Sequence, residues 1–102
     1  MNVVKLKTLR AFWENHADAE RPLLDWFRFC RAARWQSIRD VRRAYPHADA
    51  VTVKSGRTAT VFNIGGNKYR LVALIDYRFQ RMLVTHVMTH MEYDAGRWKQ
   101  QL

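Results

Sequence analysis

A chain of 102 residues, 48% of them hydrophobic and four of them tryptophan, has apolar surface for one core but not for two, which excludes a disordered chain or a multidomain one. Eighteen basic against nine acidic residues leave a formal charge of +9, so the expected partner is polyanionic, with nucleic acid ahead of an anionic membrane surface. No apolar run approaches the roughly 20 residues of a spanning helix, no secretory signal is apparent at the N-terminus, and Cys30 has no second cysteine to pair with. A single basic domain, residues 1–102, in a reducing cytoplasm is expected, with no membrane partner.

The N-terminal half is patterned for helices. Asn2 to Leu6 carries the Val3-Val4 core of a short strand. Thr8 is placed to cap a helix whose Leu9, Phe12 and Trp13 recur at three- and four-residue spacing. Asp18 to Pro22 opens the next helix, with acids near its positive end and proline in its first turn. Leu23, Leu24, Phe27 and Cys30 form its apolar stripe, and Arg28, Arg31 and Arg34 lie on a neighbouring flank. Ser37 begins a third helix with Ile38, Val41 and Tyr45 inward and Arg39, Arg42 and Arg43 outward. It ends before Pro46, because the residue preceding proline is pushed out of helical geometry.

The second half is patterned for strands. Ala50 to Lys54 alternates Val51 and Val53, and Ser55-Gly56 marks a turn. Thr58 to Ile64 is a strand that turns on Gly65-Gly66, a pair suited to a two-residue hairpin because both central positions can require positive φ. Asn67 to Tyr77 runs back. After a break at Arg78 to Arg81 a further strand, Met82 to Thr89, leads to His90-Met91-Glu92-Tyr93-Asp94, and Gly96 falls in a loop or terminal turn. Helices followed by strands give an α+β fold, with N-terminal helices on one face of a mainly antiparallel sheet and the other face at least partly open for a site.

Alternation sorts the Asn67–Tyr77 strand into a core face with Tyr69, Leu71, Ala73 and Ile75 and an open face with Lys68, Arg70, Val72 and Leu74. Exposed lysines and arginines are ordinarily solvated, but an arginine flanked by apolar residues in a central strand needs a partner or a ligand. His86 and His90, on one strand, would lie about 13 Å apart, too far to share an ion, so no metal site is expected. His86 is expected to be a surface or partly packed residue. His90 stands beside Tyr93 and Asp94 and suits proton transfer, with Asp94 as an orienting or capping group. Asn63 and Asn67 are adequately explained by the turn they flank. Seven arginines between Arg21 and Arg43, against Asp25 and Asp40, form a basic surface able to meet phosphates without reading sequence, and Trp35 among them is expected in the core.

Asn63-Ile-Gly-Gly-Asn-Lys-Tyr-Arg-Leu71, followed two strands on by Thr89-His-Met-Glu-Tyr-Asp94, resembles the HigB-type toxins of bacterial toxin–antitoxin pairs. The resemblance implies a RelE-like ribonuclease fold and a ribosome-dependent mRNA endonuclease. Under it, His90 is the acid/base residue, Arg70 with Lys68 grips the phosphate, and Tyr93 positions substrate or shares proton transfer. Arg28, Arg31, Arg34, Arg39, Arg42, Arg43 and Asn67 would contact RNA of the message or the ribosome, with no cofactor. A HigA-type antitoxin would neutralise the toxin and carry any binding to promoter DNA. The chain departs from the family pattern at Met88, where a smaller residue precedes Thr-His; the larger side chain is expected to narrow the site or alter substrate preference.

A non-catalytic RNA- or ribosome-binding module on the same scaffold accounts equally for charge and fold, with His90 and Tyr93 as structural residues. The two readings separate on whether Arg70, His90 and Tyr93 converge on an exposed cleft.

Overall fold

The computed structural model describes residues 1–102. Its elements run β1 (Asn2–Val4), α1 (Leu6–Trp13), a 3₁₀ turn (Ala17–Ala19), α2 (Glu20–Ala32), α3 (Ile38–Ala44), β2 (Asp49–Thr52), β3 (Thr58–Ile64), β4 (Tyr69–Asp76), β5 (Arg81–Thr89), α4 (His90–Ala95) and a closing 3₁₀ turn (Arg97–Gln101). The five strands form one sheet in the order β1-β5-β4-β3-β2, antiparallel except for the β1–β5 pair. The α+β architecture expected from the order of elements is the one observed.

The main core lies between α1–α3 and one face of the sheet, where Leu9, Leu23, Trp26, Cys30, Trp35 and Val41 meet Phe62, Leu71, Ala73, Met82 and Val84. Trp26 and Phe62 make an edge-to-face pair with centroids 5.3 Å apart, a favoured geometry for aromatic rings. On α2 the buried positions are Leu23, Trp26 and Cys30, one stripe at three- and four-residue spacing, while Leu24 and Phe27 are only half-buried. Of the four residues expected in the stripe Leu23 and Cys30 are buried, and Trp26, not expected there, sits at its centre. Helix α1 begins at Leu6, with Thr8 inside its first turn instead of capping it, because the chain leaves β1 at Val4 and turns at once.

Two further corrections bear on the site. The β3–β4 hairpin closes on Ile64 opposite Tyr69, so its loop is Gly65 to Lys68, four residues long, with φ of 63° and 69° at the two glycines. Lys68 therefore belongs to the turn and does not share the strand's alternation with Arg70. The second face of the sheet, expected to be open, carries a small core of its own: Val53, Ala59, Val61, Val72 and Met88 packed by Trp98, with Tyr93 and Leu102 at its edge. The C-terminal segment is laid over it and tied down where the Lys54 N–H donates to the Lys99 carbonyl at 3.1 Å.

A bulge in β5 serves this second core. Val72 pairs with His86 and Ala73 with Val84, so Thr85 is the extra residue. It lets Val84 and Val87 both contact the main core while Met88 turns to the second one. No helix is long and apolar enough to cross a membrane.

Candidate active site

The site forms at the end of the sheet where β3 finishes, β4 begins and β5 passes into α4. The signal for α4 is local: Thr89 and Glu92 form a capping box. The Glu92 N–H donates to Thr89 Oγ1 at 3.2 Å, and the Thr89 N–H donates to the Glu92 carboxylate at 3.0 Å. The Thr89 N–H, and after it the Thr89 hydroxyl, which donates to the same carboxylate oxygen at 3.0 Å, hold the Glu92 carboxyl below its ordinary range. Gly96, at φ 76°, ends the helix in the left-handed conformation glycine tolerates.

Being helical, residues 90 and 94 lie one turn apart on the same side. His90 Nε2 sits 3.0 Å from the Asp94 carboxylate, and Nδ1 faces Arg70 Nη2 at 3.5 Å. A guanidinium only donates, so Nδ1 is the unprotonated nitrogen and Nε2 carries the proton toward Asp94. The imidazole is accessible, with 40% of its side-chain surface exposed.

Arg70, directly opposite Met88 in the β4–β5 register and opposite Asn63 in the β3–β4 register, is buried to 8% exposure. Its Nη1 donates to the Asn67 and Tyr69 carbonyls at 3.2 and 3.1 Å, and its Nη2 to the Asn67 side-chain oxygen at 2.6 Å. The guanidinium lies 5.7 Å from the centroid of the Tyr93 ring, which is itself stacked on Trp98 at 5.5 Å. Burial, and after it the negative charge of Asp49, pushes the Tyr93 phenol above its ordinary pKa. Met88 does border the site, but from within the second core beside Arg70.

Arg70, His90, Tyr93, Asp94 and Asn67 are thus brought together. Lys68 is not brought in with them. Its ammonium bonds Asp18 at 2.6 Å, and the same carboxylate accepts from the Tyr69 hydroxyl at 2.5 Å. These two donors, Lys68 first, keep the Asp18 carboxyl below the usual range, and the Asp18 carboxylate raises Lys68 in turn. Lys68 touches the site only through its backbone, whose carbonyl accepts the His90 N–H at 3.1 Å. Arg28, Arg31, Arg34, Arg39, Arg42 and Arg43 are all exposed on or beside the helices, the layer opposite the second core. Arg42 alone of the six is tied to the β2 end of the site, through the Ala48 carbonyl at 3.0 Å and Asp49 at 3.9 Å. His86 is partly buried, between Thr85 and Gln101, as expected.

A family model for the HigB toxin, described as the RelE-like toxic component of a toxin–antitoxin system, matches residues 19–96. The chain belongs to this family. Over 34 residues, 33% of each chain, it is 50% identical to the mRNA interferase toxin HigB of Escherichia coli K12. Over 68 residues, 67% of this chain and 64% of the other, it is 29% identical to the mRNA interferase HigB of Escherichia coli O6:H1. The aligned part therefore spans a third of the first relative's length and just under two thirds of the second's. Membership as the toxic component implies a cognate antitoxin. The matched residues of this RelE-like toxin include the whole Arg70–His90–Asp94 constellation, whereas Asp18 and Trp98 fall outside them.

Proposed function

We propose that the chain is an mRNA interferase, a metal-independent endoribonuclease acting on ribosome-bound message and neutralised by a HigA-type antitoxin. The observation that carries this reading is the chain of contacts Asp94–His90–Arg70 around an exposed imidazole. Cleavage uses the substrate's own 2′-hydroxyl: its oxygen attacks the adjacent phosphorus, the bond to the 5′-oxygen breaks, and the products are a 2′,3′-cyclic phosphate and a free 5′-hydroxyl. The protein's tasks are to take a proton from the 2′-oxygen, give one to the leaving oxygen, and balance charge on the phosphate.

His90 fits the first task. Its Nδ1 lone pair is met only by a 3.5 Å contact that a hydroxyl can displace, and Asp94 steadies the imidazolium that results. Arg70 supplies the charge. Its two terminal nitrogens make four contacts with the protein, so the cation is fixed before substrate arrives and acts on the phosphate through its charge. The raised Tyr93 phenol stays protonated at neutral pH, which suits a donor to the leaving oxygen or to a phosphate oxygen. Lys68, paired with Asp18, serves the site through its backbone carbonyl, which holds the His90 N–H. The exposed arginines of the helical layer tether ribosomal RNA through phosphates, an interaction that weakens steeply with salt. Any binding to promoter DNA is assigned to the antitoxin.

The test is induced expression in bacteria, comparing wild type with His90→Ala and Arg70→Ala after each is checked for soluble, folded protein. Growth arrest with messages cut inside coding regions, lost in both variants, is the expected result. Cleavage surviving in both would discard the site, and intact messages with folded wild type would discard the nuclease.

A further inference from the structure

Beside the Arg70 cluster, an open groove of about 640 Å³ runs between the α3–β2 loop and the β3–β4 loop, with Tyr45, Pro46 and His47 on one wall and Asn63, Gly66 and Asn67 on the other. Nothing in the proposed chemistry uses it, yet two of its residues are coupled to that chemistry. Asn63 faces Arg70 across the β3–β4 ladder, and Asn67 is bonded to the Arg70 guanidinium. We infer that this groove is a specificity subsite that takes one unstacked base of the single-stranded RNA substrate and reads its edge with Asn63 and Asn67. The inference rests on RNA being the substrate.

The polarity of the subsite follows from Arg70. Because a guanidinium cannot accept, Asn67 must turn its oxygen to Arg70 and its NH₂ away, so it offers the groove donors only. The ligand atom it meets must be an acceptor, a ring nitrogen or a carbonyl oxygen. Asn63 is half-buried and its amide has no hydrogen bond within the protein, so it keeps both a donor and an acceptor for a second point on the same edge. A planar amide with both functions is the group that pairs bidentately with a base edge. The opposite wall carries the imidazole of His47, which makes no hydrogen bond, and the carbon surfaces of Tyr45 and Pro46. Planar rings such as those of His47 and Tyr45 stack on splayed RNA bases. Arg42, at the end of α3, is bonded to the carbonyl of Ala48 in the groove wall at 3.0 Å and sets a half-exposed guanidinium there for an adjoining phosphate. The same site thus pairs a reader of bases with the proposed reader of phosphates.

The experiment uses the full chain and short 2′-O-methyl RNAs, which lack the nucleophile and are not cut, with one position varied through the four bases. Binding is followed by NMR, including the side-chain amide signals of asparagine, for wild type, Asn63→Ala and His47→Ala. The expected result is a roughly 5- to 150-fold preference among the four bases, the range a bidentate base contact provides, with the Asn63 and Asn67 side-chain signals moving. Asn63→Ala should collapse that preference while retaining charge-driven binding; His47→Ala should weaken binding to all four bases alike. Equal affinity for every base in wild type, or shifts confined to the arginine-bearing helices, would overturn the inference and leave the groove to a protein partner. Failure of the nuclease reading shows separately, as intact messages in expressing cells. Base-selective binding with that result would keep the groove and discard the cleavage.

Discussion

Arg70→Lys separates two roles that the charge alone would confound. Lysine keeps the cation but cannot form the fork that joins the Asn67 carbonyl, the Tyr69 carbonyl, the Asn67 side chain and His90. A hydrogen bond from a charged donor contributes about 1.5–3 kcal/mol, so losing two of the three bonds to Asn67 and Tyr69 removes about 3–6 kcal/mol. One ammonium bond regained, and water reaching the exposed loop, offset part of this. The expected cost is about 2–4 kcal/mol, which for a domain of this size lowers the melting temperature by roughly 10–20 °C. Urea denaturation of both proteins measures the cost, and message cleavage at a temperature where the variant remains folded measures the chemistry. Stability and cleavage should fall together, because the loop and the imidazole are held by one group. A variant within 0.5 kcal/mol of wild type would refute the claim that the fork holds the loop. A variant equally stable but inactive would move the guanidinium's role from the protein to the substrate.

Three other outcomes are expected. Trp98→Ala, at a side chain left 3% exposed, should cost about 3–5 kcal/mol by denaturant titration, and should reduce cleavage because Tyr93 loses the ring it stacks on. Asp94→Asn should lower cleavage about 10- to 100-fold with little change in stability. That is well short of the roughly 10⁴ seen for a buried triad carboxylate, since Asp94 is 63% exposed. Glu92 has its folded pKa depressed below its unfolded value, so its contribution to stability is complete above the ordinary carboxylate range and lost as pH falls through the depressed value. Urea midpoints between pH 6 and pH 3 should therefore drop less in Glu92→Gln than in wild type.

What the sequence made legible were features with a local or periodic signature. The stripe through Leu23 and Cys30, the stop at Tyr45-Pro46, the bounds of β3 and the alternation of Tyr69, Leu71, Ala73 and Ile75 each follow from a rule acting over a few residues. Helix α4 had such a signature too, in Thr89-x-x-Glu92, but it was masked by the β-branched run leading into it. Other features had none. Lys68 was assigned to the strand because a glycine pair suggests a two-residue turn, and its bond to Asp18 joins residues 50 apart. His47 and Asn63 sit in different loops or strands, and only the fold makes them neighbours. The second core was hidden because Tyr93 and Trp98 occupy segments too short to show a period.

That second core also explains how so small a helix can hold the residues proposed for chemistry in place. Residues 90–95 give barely more than one and a half turns, and an isolated helix of that length does not persist in water. Its capping box secures the start, but the box alone does not fix where the helix points. Orientation comes from the far end, where Gly96 reverses the chain and Trp98 enters the sheet face, its indole N–H donating to the Tyr93 carbonyl at 3.3 Å. His90 is held at one end by the Lys68 carbonyl and Arg70, and Tyr93 at the other by Trp98. The open face expected for substrate is thus mostly filled, and what it gains is rigidity at its upper end. The guanidinium and the imidazole stand at the end of the face where α4 leaves β5, and the groove opens beside them.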